Sequence, residues 1–428
     1  MNRSKPIAVV DGIRTPFAKA FGALDSISAV ELGRVVVAES IRRCGLTPDM
    51  IDEVIIGNVA GPAEAANIAR VIALRSGVPN DRIAHTVNRN CASGMESILQ
   101  GCSRIHDGEA VTVVAGGSES MSQIPMLFSR AAAKAWMRLA RAKTISQKIS
   151  AIASMRPRHF KPVAAIELGL TDPVSGLKMG ETAEELATEF AITRTEQDEF
   201  ALSSHQKASS AQQACFMSGE IVGVSVPAGQ TIDKDDGPRH TQSLDQLARL
   251  RPLFDEHGTV TAGNSCTLTD GAAAVVLSDP DQLDRFSRPP LGFITAYAIA
   301  GCDPRRMGLG PVYATAKLLQ KTGSTLEDYD LIEINEAFAA QVIACRRAMM
   351  SVSFAKRELS QSTPVGTLPI DRTNIHGGAI ALGHPVGTTG TRMIITLLRS
   401  LRASGRRRGL ATLCVGGGQG VAIAVQSQ

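Results

Sequence analysis

A cysteine at position 91 stands in the sequence Val87-Asn-Arg-Asn-Cys-Ala-Ser-Gly-Met95, directly before a predicted helix that begins with small residues. The free N–H groups and the macrodipole of a helix N-terminus favour an anion. We therefore expect the thiolate of Cys91 to be stabilised and its backbone N–H to face a substrate oxyanion. This pattern is typical of a nucleophile, and a buried packing cysteine is the alternative that the motif alone leaves open.

A glycine-rich segment, Asn374-Ile-His-Gly-Gly-Ala-Ile-Ala-Leu-Gly-His-Pro-Val-Gly-Thr-Thr-Gly390, contains two histidines. Glycines let the backbone approach a ligand closely, and His384 is held by the main chain because a proline follows it. Histidine is also the side chain whose ordinary pKa suits proton exchange near neutral pH. A structural histidine is the alternative for both His384 and His376.

Two further polar residues close predicted strands. Cys414 ends a buried strand and is followed, after Val415, by three glycines. A nucleotide-binding loop is excluded there, because GGGQG matches neither GxGxxG nor GK[ST]. Asn335 ends the strand LIEIN, where a capping amide is the alternative to a functional one.

Composition limits the classes of function. The chain has 428 residues, 44% of them apolar and 20% charged, which allows two or three packed cores and excludes intrinsic disorder. A net charge of +4 and 4% aromatic residues argue against nucleic acid binding. Because no apolar run reaches the length of a membrane span and no signal peptide is apparent, we expect a cytoplasmic protein. The eight cysteines lack zinc-site spacing, so we expect no metal.

The elements that position these residues follow a repeated order. Apolar runs alternate with helical patterns, which predicts an α/β fold with largely buried sheets. Residues 46–58 and 326–335 each predict a short acidic helix start and a strand that ends in Asn. Residues 91–117 and 383–418 each predict a small-residue turn, a helix and a glycine-rich strand end. Two copies of one α/β unit are therefore expected.

The middle of the chain differs from both copies. Helical patterns at 181–191 and 194–215 are joined by irregular connections, which indicates an inserted cap. Strand-like residues 258–279 are expected to complete the first copy, before a linker rich in proline and charge. The predicted domains are an N-terminal half formed by 1–121 plus 252–279, an inserted loop or cap domain at 122–251 and a C-terminal half at 288–428.

Taken together and in this order, the four motifs resemble those of the thiolases. NRNCASGM resembles the nucleophile motif, NEAFAAQ the asparagine motif, GGAIALGHPVGTTG the histidine motif and LATLCVGGGQG the second-cysteine motif. The segments DGIRTPF, AGGSESMS, MGETAE, GTVTAGN and MGLGP agree as well. The resemblance extends over nearly the whole chain. It implies the thiolase fold, in which two repeated βαβαβαββ halves form five αβαβα layers with an inserted loop domain.

The resemblance also implies a reversible acyltransferase reaction, in which CoA cleaves a 3-ketoacyl-CoA through an acyl-cysteine intermediate. Cys91 is then the nucleophile, His384 takes its proton and Cys414 exchanges the substrate α-proton. Asn335 would hold a water that faces the enolate oxygen together with His384, and the N–H groups of Cys91 and Gly416 would face the thioester oxygen. No cofactor is implied, because CoA is a substrate. The residues expected to contact substrate are Met179, Ser265, Cys266, Met307 and His376.

Two features depart from the family pattern. Cys266 stands where many thiolases have serine at the turn that contacts CoA. Residues 121–166, called the basic segment below, contain no Asp or Glu but nine Lys and Arg, and they are similar to the insertion of the β-subunits of fatty-acid trifunctional enzymes. That similarity implies a hydratase/dehydrogenase subunit or a membrane surface as partner, besides a homodimer or homotetramer. A solvated helix that covers the acyl tunnel or binds CoA phosphates is the alternative.

Other functions stay open at this stage. A biosynthetic acetoacetyl-CoA thiolase would use the same residues in the opposite direction. A β-ketoacyl synthase shares the fold and the cysteine, but it condenses malonyl donors. A catalytically silent scaffold that binds acyl-CoA is the third alternative, and the presence of Cys91, His384 and Cys414 argues against it.

Overall fold

The computed structural model of the protein describes residues 5–428, and the side chain of Arg158, one of the nine basic residues above, lies outside what is described. The strands are β1 (Ile7–Arg14), β2 (Ala18–Lys19), β3 (Glu53–Gly57), β4 (Ile83–Val87), β5 (Thr112–Glu119), β6 (Met126–Phe128), β7 (Pro162–Ala164), β8 (Val224–Ser225), β9 (Thr231–Ile232), β10 (Thr269–Ser278), β11 (Gly292–Gly301), β12 (Leu331–Ile334), β13 (Arg408–Val415) and β14 (Gln419–Ser427). The helices are α1 (Ala29–Arg43), α2 (Ile68–Arg75), α3 (Ser93–His106), α4 (Arg130–Arg141), α5 (Ile145–Ala153), α6 (Ala165–Gly169), α7 (Met179–Glu189), α8 (Arg194–Gln213), α9 (Leu244–Ala248), α10 (Gly310–Thr322), α11 (Ala339–Met350), α12 (Val352–Glu358), α13 (Ala379–Leu382) and α14 (Thr389–Ala403).

The large sheet repeats one strand pattern twice. Its order is β12-β13-β14-β11-β1-β10-β5-β3-β4, and β2 pairs with β10. In the first half β3 and β5 are parallel, whereas β5, β10 and β1 are antiparallel neighbours. In the second half β12, β13, β14 and β11 repeat these relations. The halves join where β1 and β11 pair at their first residues. The duplication predicted from the sequence is therefore confirmed.

Helices and sheets alternate in five layers. One buried cluster packs α1 and α2 against the first half-sheet, and another packs α10 and α11 against the second. Between the two half-sheets lies a third cluster, which is built from the apolar faces of α3 and α14. This αβαβα arrangement confirms the fold class, because α3 and α14 are the central layer and each starts directly after a predicted catalytic motif.

Small residues let the two central helices touch at their N-termini. A Cβ atom on Gly94 would lie 2.6 Å from the Thr391 hydroxyl oxygen, and one on Gly390 would lie 2.7 Å from the Met95 nitrogen. The Thr391 hydroxyl donates to the Gly94 carbonyl at 3.0 Å. Glycine is required at both positions because any side chain would push the helices apart. The motifs of Cys91 and His384 are brought together in this way.

The residues between the halves contribute no strand to the large sheet. Helices α7 and α8 confirm the two predicted helical patterns there, and Thr193 caps α8 by accepting from the Glu196 N–H. Within the basic segment, α4 buries Ala132 and Ala135. Phe128 lies in β6 and precedes Ser129, the N-cap of α4. The predicted domain boundaries stay predictions.

The strand expected over residues 258–279 begins only at Thr269. The preceding residues cross the site as an irregular segment whose backbone groups bond to loops of the second half. The Ala339 N–H donates to the Asn264 carbonyl at 2.9 Å, and the Cys266 N–H donates to the Ala337 carbonyl at 3.0 Å. These groups are engaged with loops and do not join a strand ladder, so the strand prediction is wrong over 258–268.

Candidate active site

Cys91 lies in a tight turn two residues before α3. Two backbone N–H groups act on its thiol and lower its pKa: its own and that of Gly416, which directly follows β13. The Asn90 side chain holds the same loop, because it donates to the Gly416 carbonyl at 2.7 Å. Ser93 stabilises the turn, because its hydroxyl accepts from the Arg89 N–H at 2.8 Å and donates to the Asn90 carbonyl at 2.7 Å. The nucleophile motif and the second-cysteine motif, which are over 300 residues apart in sequence, therefore meet at one sulfur atom.

The resting state of Cys91 depends on its burial. Burial raises the pKa of the thiol above its ordinary value, although the two N–H donors act in the opposite direction. Burial therefore opposes the resting thiolate that we expect at the helix N-terminus, because loss of hydration outweighs the two donors. Cys91 needs a base to become a nucleophile.

His384 is the residue that we predict to be that base. Its backbone N–H donates to the Thr267 carbonyl and to the Thr269 hydroxyl oxygen, at 3.2 and 3.1 Å, which fixes the residue against the segment before β10. The Nε2 atom is buried and has no protein partner. Burial lowers the pKa of His384 to about 4, so the imidazole is neutral at neutral pH. A neutral imidazole with a free nitrogen can accept a proton.

Cys414 closes β13 and is fully buried. Burial, followed by the neighbouring thiols Cys91, Cys345 and Cys266, raises the pKa of Cys414 well above its ordinary value. Burial likewise raises the pKa of Cys266 to about 12, with Cys91 as a smaller cause. Cys91, Cys266 and Cys414 therefore form one cluster of protonated thiols, in which Cys414 can act as a proton donor.

Asn335 directly follows β12 and is fully buried. Its backbone N–H donates to the Thr412 carbonyl at 3.0 Å, which places it beside the strand that ends in Cys414. Both polar atoms of its side chain lack a protein partner. Buried amides are rarely left unsatisfied, so this side chain and Nε2 of His384 mark a place that a water or a substrate oxygen would complete.

The predicted substrate contacts fall into two groups. The first group lies at the site loops: Cys266 donates its N–H to Ala337, and the Met179 sulfur would lie 3.2 Å from a Cβ on Gly416. The second group is engaged elsewhere. Met307 is buried in the core, the Ser265 hydroxyl donates to the Thr261 carbonyl at 2.7 Å, and the His376 ring stacks on Phe216 with centroids 3.7 Å apart. The substrate contacts of all five residues stay predictions.

The sequence analysis missed Glu119, a fully buried carboxylate at the end of β5. It accepts from the N–H groups of Val59, Ala60 and Gly387 at 2.9 to 3.0 Å and from the Asn58 amide at 2.9 Å. Burial raises the pKa of Glu119 to about 7, yet every partner is a donor, so the geometry fits the carboxylate. Glu119 ties the His384 loop to the first half of the fold. An acidic residue at the end of a buried strand was the available signal.

Residues 5–428 are the part of the chain that the structure describes. No helix in that range is long and apolar enough to cross a membrane. The same residues include no group of three or more His, Cys, Asp or Glu that could hold a metal ion.

Comparison with known proteins agrees with the fold and the motifs. Family models match the thiolase N-terminal domain at residues 7–281 and the thiolase C-terminal domain at residues 288–427. A 3-ketoacyl-CoA thiolase of Yersinia enterocolitica is 39% identical over 423 residues, covering 98% of this chain and 96% of the relative. The structure of a Bacillus anthracis acetyl-CoA acetyltransferase superposes on this chain with a TM-score of 0.88 and 34% sequence identity. The structure of human mitochondrial 3-ketoacyl-CoA thiolase superposes with a TM-score of 0.86 and 36% sequence identity. Each superposition covers 100% of both chains.

A duplicated five-layer α/β fold, with Cys91 and His384 just before its two central helices and Cys414 near the end of β13, defines an acyltransferase that works through a cysteine. The chain belongs to the thiolase family.

Proposed function

We propose that the protein uses CoA to cleave 3-ketoacyl-CoA into acetyl-CoA and a shortened acyl-CoA, and that it does so in degradation of fatty acids. The observation that carries this proposal is that the Cys91 and Cys414 thiols are neighbours, while Nε2 of the buried, neutral His384 has no protein partner. Similarity to two 3-ketoacyl-CoA thiolases supports 3-ketoacyl-CoA as the substrate.

In the first half-reaction, Cys91 attacks the 3-keto carbonyl while Nε2 of His384 accepts the thiol proton. The N–H groups of Cys91 and Gly416 stabilise the negative charge that develops on the oxygen of the attacked carbonyl group. The bond between C2 and C3 then breaks, and its electron pair passes to the enolate of acetyl-CoA. Cys414 donates its proton to C2, while His384 and a water held by Asn335 stabilise the enolate oxygen. Acetyl-CoA leaves and Cys91 is acylated.

In the second half-reaction, the Cys414 thiolate accepts the proton of incoming CoA, whose sulfur attacks the acyl-Cys91 thioester. The shortened acyl-CoA leaves, and the imidazolium of His384 returns its proton to the Cys91 thiolate. Every proton is returned to its starting group. We therefore propose that no cofactor takes part and that CoA acts as substrate.

Steady-state kinetics with 3-ketoacyl-CoAs from acetoacetyl-CoA to long chains test this function. We expect acetyl-CoA formation that requires added CoA, with kcat/KM higher on longer substrates than on acetoacetyl-CoA. If acetoacetyl-CoA is the only member of the series that is cleaved, and if acetyl-CoA is condensed efficiently, the biosynthetic alternative is favoured. Decarboxylation of a malonyl thioester would favour a β-ketoacyl synthase.

The basic segment supports a more specific role. Its exposed apolar side chains include Trp136 and Ile145, which is 78% exposed, and Ile149 and Ile152 continue the face of Ile145 along α5. Its exposed basic residues are Arg130, Lys134, Arg138, Arg141, Lys143, Lys148, Arg156 and Lys161. Exposed apolar side chains that lie among Lys and Arg residues, with no Asp or Glu nearby in the sequence, are suited to bind an anionic lipid surface. We propose that this segment binds such a surface, with a hydratase/dehydrogenase subunit as the second candidate partner.

We further propose a cytoplasmic homodimer or homotetramer. Strand β4 ends the order of the large sheet, and Ile83 at its start is 51% exposed. An exposed edge strand is a surface that a second copy can cover. Sedimentation of the purified protein tests this, and a monomer at micromolar concentration would contradict it.

A further inference from the structure

The side chain of Asn90 connects the nucleophile turn to the loop that supplies the oxyanion donor. Its Nδ2 donates to the carbonyl of Gly416 at 2.7 Å. The backbone N–H of the same glycine lies near the Cys91 thiol and lowers its pKa. We propose that Asn90 is a positioning residue, which holds Gly416 from its carbonyl end so that the Gly416 N–H stays aimed at Cys91. This inference rests on the proposed function, because the aimed N–H is the one that would stabilise the oxyanion.

The glycine loop needs such support. Strand β13 ends at Val415, and Gly417 and Gly418 both adopt left-handed conformations, with φ of 89° and 82°. Glycines are the residues with the greatest backbone freedom, so a run of three can move its amide groups at little cost. The strand fixes Gly416 at its Val415 side. The hydrogen bond from Asn90 fixes it at the other side.

The backbone at Asn90 is itself unusual. Its φ is +44°, a left-handed conformation that is uncommon outside glycine and that asparagine tolerates better than most residues. The N–H of Asn90 donates to Oδ1 of Asn88 at 2.9 Å, which stabilises this turn. A strained residue directly before a nucleophile is typical of a site that holds its geometry at a cost. Asparagine therefore supplies both the conformation and the amide.

The preceding residue makes a second contact to the same hairpin. Nη1 of Arg89 donates to Oε1 of Gln419 at 2.7 Å, at the start of β14. Arg89 and Asn90 thus hold the β13–β14 turn from both of its ends. Only Asn90 reaches the glycine that touches Cys91, so the two contacts can be separated by mutation.

The test compares three variants. Asn90→Gly keeps access to the left-handed conformation and removes the amide. Asn90→Asp keeps the size of the side chain but turns a carboxylate oxygen toward the Gly416 carbonyl, which repels it. Asn80→Gly is the matched control, because Asn80 is an exposed asparagine away from the nucleophile turn and its backbone carbonyl accepts from Arg70.

Two readouts separate positioning from other roles. The first is kcat and KM for thiolysis. The second is the pH dependence of alkylation of Cys91 by iodoacetamide, followed by mass spectrometry of the peptide that contains it. The titratable groups that act on Cys91 are Glu119, Cys266 and Cys414, together with the proposed base His384, and all variants keep them. A misaimed donor stabilises the thiolate less, so alkylation shifts to higher pH.

We expect Asn90→Gly to lower kcat about tenfold, the effect of one lost hydrogen bond in the transition state, with KM within about twofold. Asn90→Asp should lower kcat further, both should shift Cys91 alkylation to higher pH, and Asn80→Gly should do neither. The proposal is overturned if Asn90→Gly keeps the wild-type kcat and alkylation profile, if KM rises at unchanged kcat, or if Asn80→Gly matches Asn90→Gly. The alkylation profile needs no turnover, so it decides this question even if the proposed function fails.

Discussion

Nδ1 of His384 lies 2.6 Å from the hydroxyl oxygen of Thr389, and that hydroxyl donates its one hydrogen to the Pro385 carbonyl at 3.0 Å. The threonine oxygen must therefore accept from the imidazole, which assigns the hydrogen of neutral His384 to Nδ1. Nε2 is left as the acceptor that faces the site. A hydroxyl at the start of α14 thus selects the tautomer that the proposed base requires.

Replacing Thr389 by valine keeps the shape of the side chain and removes the acceptor. We expect kcat/KM to fall about tenfold or more, because the imidazole loses its orienting partner and its Nδ1–H is left unsatisfied. Thr388→Val is the matched control, since the Thr388 hydroxyl donates to the Gly271 carbonyl and does not touch His384. Equal losses in the two variants would show that the hydrogen bond to His384 has no special role.

The pH profile follows from the burial of His384. Because burial lowers its pKa to about 4, the imidazole stays neutral down to that pH, and activity that depends on it should be lost only near pH 4. The measurement is kcat/KM between pH 4 and 8 in the wild type and in Glu119→Gln, because burial raises the pKa of Glu119 to about 7. If kcat/KM still falls below about pH 6.5 in Glu119→Gln, His384 has the ordinary pKa of a histidine and the prediction is contradicted.

The roles of Cys414 and His384 can be separated by half-reaction. Cys414→Ala should still allow acylation of Cys91 by a simple acyl-CoA, but it should abolish exchange of the acetyl-CoA α-protons with D2O. His384→Ala should impair acylation as well, since Cys91 is protonated at rest. Cys102→Ala, at another buried thiol, serves as the control. If both site variants acylate at the wild-type rate, the division of roles is wrong.

The basic segment is tested with lipid vesicles. Binding to anionic vesicles should weaken strongly when four basic residues are changed together to glutamine: Arg130, Lys134, Arg138 and Arg141. Each basic residue near such a surface contributes about 1 kcal/mol to binding. Binding should also weaken at high salt, and Ile145→Ser with Ile149→Ser should reduce it through lost apolar contact. Flotation of the protein with vesicles measures both effects.

The control for this experiment changes four exposed basic residues elsewhere, Arg75, Lys356, Arg402 and Arg406, to glutamine. This variant should bind vesicles like the wild type. Unchanged vesicle binding in the basic-segment variant, with lost capture of a hydratase/dehydrogenase subunit, would favour the second candidate partner. If the only change in the basic-segment variant is a higher KM for CoA substrates, the segment belongs to the CoA site.

Motifs and repeats were accessible from the sequence because they depend on local patterns. The start of α3 at Ser93, the α7 and α8 helices and the duplicated strand order all follow from periodicity and turn residues. What failed depended on tertiary contacts. Burial, which opposes the Cys91 thiolate, is not visible in a motif. Residues 258–268 have a strand-like pattern but form no strand, because their hydrogen-bond partners lie on loops of the other half.

The supporting residues of the site were missed for the same reason. Glu119 and Thr389 act through contacts to Gly387 and to His384. Asn90 acts through a carbonyl more than 300 residues away in sequence. None of these pairings has a periodic signal, so only the folded chain reveals them.

The most direct test of the account is to find where the acyl group resides. The wild type and Cys91→Ser are incubated with an acyl-CoA, quenched in acid and digested, and the peptides are identified by mass spectrometry. We predict an acyl adduct on Cys91 in the wild type, and no turnover and no adduct in a Cys91→Ser protein that unfolds at the wild-type temperature. An adduct on Cys414 or Cys266 instead of Cys91 would contradict the central claim that Cys91 is the nucleophile.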